Sequence, residues 1–275
     1  MAYVHAQARR GARWRPSPFV RGSFALHAVA LAGAALGPGA WPWALGAVAA
    51  NHAVACLAGL LPRSRLLGPN LTRLPPAAAA RGEVAVTIDD GPDPEVTPRV
   101  LEILARAGAR ASFFCIGQRA QRHAALVREI VAQGHAVENH SLRHRHNFGL
   151  LGPTGYLREI GAAQDVLAEI AGSAPCFFRA PAGLRNPFLD YALARLGLPL
   201  VSWTRRGFDT LASDAGRVHA RLTRGLAAGD VLLLHDGHAA TMPGGGAVVL
   251  AVLPRLLEDL SAAGLRPVTL RAALR

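Results

Sequence analysis

The chain of 275 residues contains no lysine, so all thirty of its cationic side chains are arginine. Its first 82 residues contain no aspartate or glutamate against nine arginines, while residues 83 to 275 carry 21 arginines and all 18 acids. The net charge of +12 therefore sits mainly at the front of the chain. No basic stripe interleaved with aromatics appears there, which removes the main support for a nucleic-acid partner and makes an anionic membrane surface the better one. Cysteine is scarce as well. Cys56, Cys115 and Cys176 form no disulfide-dense pattern, which excludes a small stapled scaffold and agrees with a reducing compartment. No internal repeat and no long disordered tract is evident.

Formal charge is also missing from two apolar stretches, Phe24 to Leu36 and Trp41 to Leu61, separated by Gly37-Pro38-Gly39-Ala40. Arg13, Arg15 and Arg21 precede them, and Arg63 and Arg65 follow. The second is long enough to cross a bilayer and the first is marginal alone, at about twenty residues per crossing. A cleavable signal peptide fits less well, because the apolar region is too long and arginines resume after it. Trp41 and Trp43 suit an interfacial belt beside the short connection. His27, Asn51 and His52 interrupt the runs, so a buried hairpin packed on the rest of the protein is the alternative. The expected organisation is a basic segment over 1–22, a membrane hairpin of two helices over 23–62, a Pro/Ala-rich linker over 63–82 and a catalytic domain over 83–275. Arginines at both ends of the hairpin and none in its loop favour a membrane anchor with both ends in the cytoplasm. If only one stretch spans, the domain lies outside.

The chemistry concentrates in the remainder. Glu83 to Ile88 is a short β-branched and apolar run stopped by Gly91-Pro92, which reads as a buried strand ending in a turn. Asp89 and Asp90 close it. Neighbours on a strand point to opposite sides, so one carboxylate can bind a cation while the other takes a proton from water. Some fifty residues on, His140 and His144 share a spacing of four that places both rings on one face if the segment turns helically. Two imidazoles and one carboxylate leave coordination positions open, as a catalytic metal requires, and zinc or cobalt suits such donors. Alone, each motif has a bland reading, a turn for Asp-Gly-Pro and a solvated face for the histidines. Together they are worth far more.

Three further segments end in polar residues. Cys176 to Arg179 delivers an arginine into a Pro/Gly loop, Gly229 to His235 delivers a histidine, and Leu200 to Trp203 leads to a loop carrying Asp209. Each candidate lies just past a strand's C-terminal end, where parallel α/β folds gather their active sites. His146 and His238 read as rim residues.

At these residues the chain resembles the polysaccharide deacetylase family, the NodB-homology domain of carbohydrate esterase family 4, over roughly residues 83 to 271. The resemblance implies that Asp89 is the general base, that Asp90, His140 and His144 bind a divalent metal, that Arg179 orients the base, and that His235 is the general acid tuned by Asp209. It further implies that Pro181, Trp203 and Leu233 help to wall the substrate pocket. The chain departs from the family's pattern at Ile88, Ala180, Ala182 and Thr210, where Phe, Pro, an aromatic and Trp are usual; these leave the chemistry intact and bear on the sugar groove.

Strands expected near 83, 110, 135, 176, 198, 230 and 265 alternate with helical patterns at 94–107, 123–133, 157–171 and 248–263, which argues a parallel α/β sheet. With the resemblance, the expected fold is the distorted (β/α)7-type barrel behind a hydrophobic helical hairpin. The expected function is metal-dependent removal of an N-acetyl or other N-acyl group from an amino sugar, in a glycan polymer or on a lipid carrier. Polysaccharide O-deacetylation and a silent glycan-binding barrel are the alternatives.

Overall fold

The computed structural model describes residues 13 to 275; the first twelve residues of the basic segment lie outside it. Two apolar helices, α1 (Pro18–Leu36) and α2 (Trp41–Leu60), run out from the rest of the chain and back. Ser17 caps α1 by accepting from the Val20 N–H, and both helices carry proline in their first turn, where its missing N–H costs nothing. The pair is not buried against the rest of the chain. Leu31 and Trp43 are 75% and 83% exposed, and only Val20, Ala58 and Gly59, near the base, are buried. Both helices have the length and apolarity to cross a membrane. Between them, Asn51 Nδ2 donates to Ser23 Oγ at 2.7 Å and the His27 and His52 rings meet at 3.1 Å, so the polar interruptions pair with one another.

The segment from 63 to 82 is packed. Leu67 and Leu74 are buried, Leu71 bridges to Val201, and a short helix α3 (Pro76–Ala80) buries Ala78. The sheet then forms from β1 (Glu83–Asp89), β2 (Ser112–Cys115), β3 (Ala136–Asn139), β4 (Arg205–Arg206), β5 (Val231–His235) and β6 (Arg266–Val268). All ladders are parallel, in the order β3-β2-β1-β5-β4, with β6 pairing the first residues of β1 and β2 its last. Single bridges, Asn139 to Phe178 and Phe178 to Leu200, carry the path from β3 round to the stretch that continues into β4. The strands expected near 176 and 198 are thus reduced to isolated contacts. Pro175 and Pro199 flank them, and proline cannot donate to a ladder.

Between the strands lie α4 (Thr97–Arg106), α5 (Gly117–Arg122), α6 (Ala124–Ala132), α7 (Pro153–Ala171), α8 (Pro187–Leu196), α9 (Ala215–Thr223) and α10 (Val249–Ala262), and α11 (Leu270–Ala273) follows β6. Alternation along the strands divides two environments. Val84, Val86 and Ile88 of β1, with Leu232 and Leu234 of β5, face the helices in one large apolar cluster. Their neighbours Thr87 and Asp89 lie on the opposite side. In register, Thr87 sits beside Leu233 and Asp89 beside His235, so the chemistry of two strands collects on one face at their C-terminal ends.

Candidate active site

The site is built on the end of β1. Asp89 is its last residue, and its Oδ1 accepts a 2.6 Å hydrogen bond from Arg179 Nη1. That arginine is 1% exposed and every one of its nitrogens is engaged: Nη1 also donates to Thr87 Oγ1 at 2.8 Å, Nε to the Val201 carbonyl at 3.2 Å and Nη2 to the Ser202 carbonyl at 2.9 Å. Its guanidinium lies 4.1 Å from the centre of the Phe114 ring, a cation–π contact made without competing water. Burial lowers the Arg179 pKa from its ordinary value, opposed by the charge of Asp89. One oxygen of Asp89 is thereby fixed, and the other, Oδ2, lies 3.9 Å from His140 Nε2.

Asp90 diverges from Asp89 by a turn rather than by strand alternation. Its φ of 75° is left-handed, which swings its carboxylate towards β3. Its Oδ1 lies 3.2 Å from His140 Nε2 and 3.1 Å from His144 Nε2. The two histidines are not on a helix as their spacing suggested. They stand on a loop in which Ser141 and His144 both have positive φ, at 66° and 50°, and the Ser141 hydroxyl accepts from the His144 N–H.

These donors fit a cation. His140 Nδ1 donates to the Arg179 carbonyl at 2.9 Å, so in a neutral ring Nε2 presents a lone pair to Asp90 Oδ1. That oxygen is buried with no hydrogen-bond partner among the described residues. Something positive belongs between these atoms, a proton or a metal ion. Burial, reinforced by the neighbouring His140 ring, pushes His144 down to about 4, leaving it a neutral donor. Burial pushes the Asp90 carboxyl up, but the neighbouring His140 and His238 rings outweigh it and hold the group well below the usual carboxylate range. The three donor atoms lie within 4.8 Å of one another.

Across the sheet, His235 closes β5. Asp209 Oδ1 accepts from its ring Nδ1 at 2.8 Å and Asp209 Oδ2 from its backbone N–H at 2.7 Å. Burial alone would lower the His235 pKa, yet the charge and hydrogen bond of Asp209, helped by Asp89 and Asp90, raise it. Thus Asp89, Asp90, His140, His144, Arg179, Asp209 and His235 all meet at one end of the sheet. Pro181 stands in the turn Pro181–Gly183 beyond Arg179, packed so that a Cβ on Gly183 would strike Trp203 and Pro62. Trp203 is buried 6.0 Å from the Arg179 guanidinium, and Leu233 is buried two residues before His235 on the same side of β5.

Three contributors were not singled out from the sequence. Asp236, directly after His235, packs against Gly91 so closely that a Cβ there would collide with its carboxylate, and it accepts from Thr97 Oγ1 at 2.5 Å. Its burial pushes its pKa up to about 7. Phe114 supplies the ring beneath Arg179. Arg119 Nη1 donates to the Asp90 carbonyl at 3.1 Å and Nη2 to His238 Nε2 at 2.9 Å, which leaves His238 Nδ1 to donate to Asp90 Oδ2 at 3.1 Å. The adjacency of Asp236 to His235 was the available signal.

The family model for polysaccharide deacetylase matches residues 77–201. A peptidoglycan-N-acetylglucosamine deacetylase of Bacillus cereus is 30% identical over 199 residues, which cover 70% of this chain and 88% of that protein. The chain belongs to the polysaccharide deacetylase family. A chitooligosaccharide deacetylase of Azorhizobium caulinodans is 33% identical over 67% of this chain and 90% of its own length. Among solved structures, a family 4 acetyl xylan esterase from Clostridium thermocellum in complex with a cobalt ion superposes with a TM-score of 0.62 and 30% identity, covering 70% of this chain and 89% of that one. Deacetylases of this family are metal-dependent hydrolases, and the trio of Asp90, His140 and His144 is a candidate site for the ion. The departures from the family's pattern fall at the edges of this deacetylase's site. Ile88 faces the outer helices, away from Asp89, and Ala180 and Ala182 lie in the loop beyond Arg179, where Ala182 has a φ of 53°.

Proposed function

We propose that the protein is a membrane-anchored, metal-dependent N-deacetylase of N-acylated amino sugars. The observation that carries this reading is the register of β1 on β5. It sets Asp89, an oriented carboxylate with one free oxygen, directly beside His235, an oriented imidazole, with the Asp90, His140 and His144 trio against them. A binding module has no need of an acid, a base and a metal site together.

Asp90, His140 and His144 would hold the ion, for which zinc is our assignment; when bound, it supplies Lewis acidity to the acyl carbonyl and lowers the pKa of water. Asp89 Oδ2 takes the proton from the attacking water while Arg179 keeps Oδ1 from turning away. An amine leaves poorly at neutral pH, so His235 protonates the nitrogen as the C–N bond breaks. Asp209 holds the ring in the tautomer that presents Nε2 to substrate and stabilises its protonated form. Trp203, Leu233 and Pro181 wall the acyl side. The products are a carboxylate and a free amino sugar.

The names of the similar proteins support a glycan substrate, peptidoglycan or chitooligosaccharide in type. Likeness to an acetyl xylan esterase supports ester hydrolysis as the second reading. An ester leaving group needs less acid assistance, so His235→Ala should reduce amide turnover far more than ester turnover. Two exposed apolar helices with arginines only at their base support anchoring, with the catalytic part on the cytoplasmic side.

Acetate release by full-length protein in detergent from N-acetylated chitooligosaccharides and peptidoglycan glycan, after chelation and again after zinc or cobalt is restored, tests the reading. Release that returns with metal and is absent from Asp90→Ala is the expected result. Protein that binds no metal and releases no acetate would revert to a silent barrel.

A further inference from the structure

Beside the trio opens a second cavity of about 250 Å³. Arg119, Arg122, Arg143, His146 and His238 line it together with His144, and no carboxylate does. Its arginines are unequally engaged. Arg143 pairs with Glu159 at 3.0 Å, whereas Arg119 and Arg122 have no acidic partner among the described residues. Arg119 is braced, because two of its nitrogens already hold the Asp90 carbonyl and His238. Arg122 spends only Nε, on the Gln118 carbonyl at 3.3 Å, so its two terminal nitrogens remain as a fork. A concave, carboxylate-free wall of guanidinium and imidazole groups matches a tetrahedral oxyanion better than a neutral sugar hydroxyl.

Position narrows the ligand further. His144 belongs both to the trio and to the cavity wall, so the anion site adjoins the trio. The loop bearing His144 and His146 then runs to Gly149, which packs on Leu184 and Arg185, and Gly59 at the foot of α2 abuts the Arg185 carbonyl. The cavity is therefore joined by one continuous packed path to the base of the apolar hairpin.

We propose that this cavity binds a phosphate ester carried on the same sugar ring as the N-acyl group, a specificity that rests on the deacetylase reading and names the substrate class for it. The phosphate forks onto Arg122 and contacts Arg119, with Arg143 closing the far side. Such an ester can belong to a water-soluble sugar phosphate or to a lipid-linked sugar, and the chemistry at the arginines is the same.

The test compares kcat/KM of the metal-loaded, full-length protein on a neutral N-acetylhexosamine glycoside, its 1-phosphate, and the same sugar on a polyprenyl phosphate in mixed micelles, for the wild type, Arg122→Gln, Arg143→Gln and Arg122→Lys. The wild type should prefer both phosphorylated forms to the neutral one by at least about tenfold, the discrimination a charge-assisted fork supplies. Arg122→Gln should erase most of that ratio, and Arg122→Lys should restore part of it. A ratio near one in the wild type, or one that survives Arg122→Gln and Arg143→Gln, overturns the proposal. A preference for the polyprenyl form alone that is insensitive to the arginines also overturns it, in favour of lipid contact. Absence of release from all three substrates, neutral included, would instead sink the deacetylase reading itself.

Discussion

Asp209 grips His235 at two points, its Oδ1 2.8 Å from the ring Nδ1 and its Oδ2 2.7 Å from the backbone nitrogen. The aspartate therefore sets both where the ring stands and how basic it is. Its charge overcomes burial, which alone would lower the His235 pKa, and raises it. In Asp209→Asn the ring should lose its proton at lower pH, so the alkaline limb of kcat should move to lower pH. The rate should fall by on the order of a hundredfold, within the range of acid–base contributions. A pH–rate profile with an unmoved alkaline limb would count against Asp209 as the tuning partner.

Arg179 poses a stability question as well as a catalytic one. Replacing it by Met leaves Asp89 charged, buried and unpaired, and also strands the Val201 and Ser202 carbonyls. Breaking a buried pair from one side costs about 3–5 kcal/mol. Denaturant unfolding should show a loss of that size, and Arg179→Lys should recover part of it while keeping the charge but not the fork.

Metal occupancy should be visible without any substrate. Elemental analysis of zinc-loaded protein should give one ion per chain, and none in Asp90→Ala. The ion binds only the folded chain, so free metal at a hundred times Kd should add about 2.7 kcal/mol to wild-type stability. Equal thermal shifts in the wild type and Asp90→Ala would place the ion elsewhere.

Asp236 makes stability depend on pH. Burial raises its folded pKa to about 7 from 3.8, so the folded state binds a proton that the unfolded state releases. The contribution is complete below the unfolded value and is lost as pH rises through about 7. Asp236→Asn mimics the protonated group, donating to Thr97 Oγ1 and accepting from the Gly237 N–H. Urea midpoints should therefore decline between about pH 4 and 7 in the wild type and hold steadier in the variant, a difference on the order of a few kcal/mol. Parallel pH curves for the two proteins would assign the decline to other groups.

Much of this site was legible because its residues sit where patterned strands end. β1, β2, β3 and β5 begin within two residues of their expected starts, and each of Asp89, His140 and His235 ends or directly follows one. Less legible was everything that depends on backbone sign and long-range packing. The spacing of His140 and His144 suggested a helix, whereas two left-handed residues make the turn. The strands expected at 176 and 198 shrank to bridges beside Pro175 and Pro199. Asp236 and Arg119 gain their meaning only from Gly91 and Asp90, 145 and 29 residues away in sequence, a proximity no local pattern encodes.

The residue that ends the hairpin also touches the active-site wall. The Pro62 carbonyl accepts from Ser202 Oγ and from Asn70 Nδ2, and the Pro62 ring lies where a side chain at Gly183 would meet both it and Trp203. Trp14, just ahead of α1, is pinned to the same region by its indole N–H on Asp190. The hairpin is thus no detachable tether. A soluble fragment beginning at residue 83 would lose the support behind Ser202 and Trp203, so its substrate preferences would describe a different catalyst from the one the full chain builds.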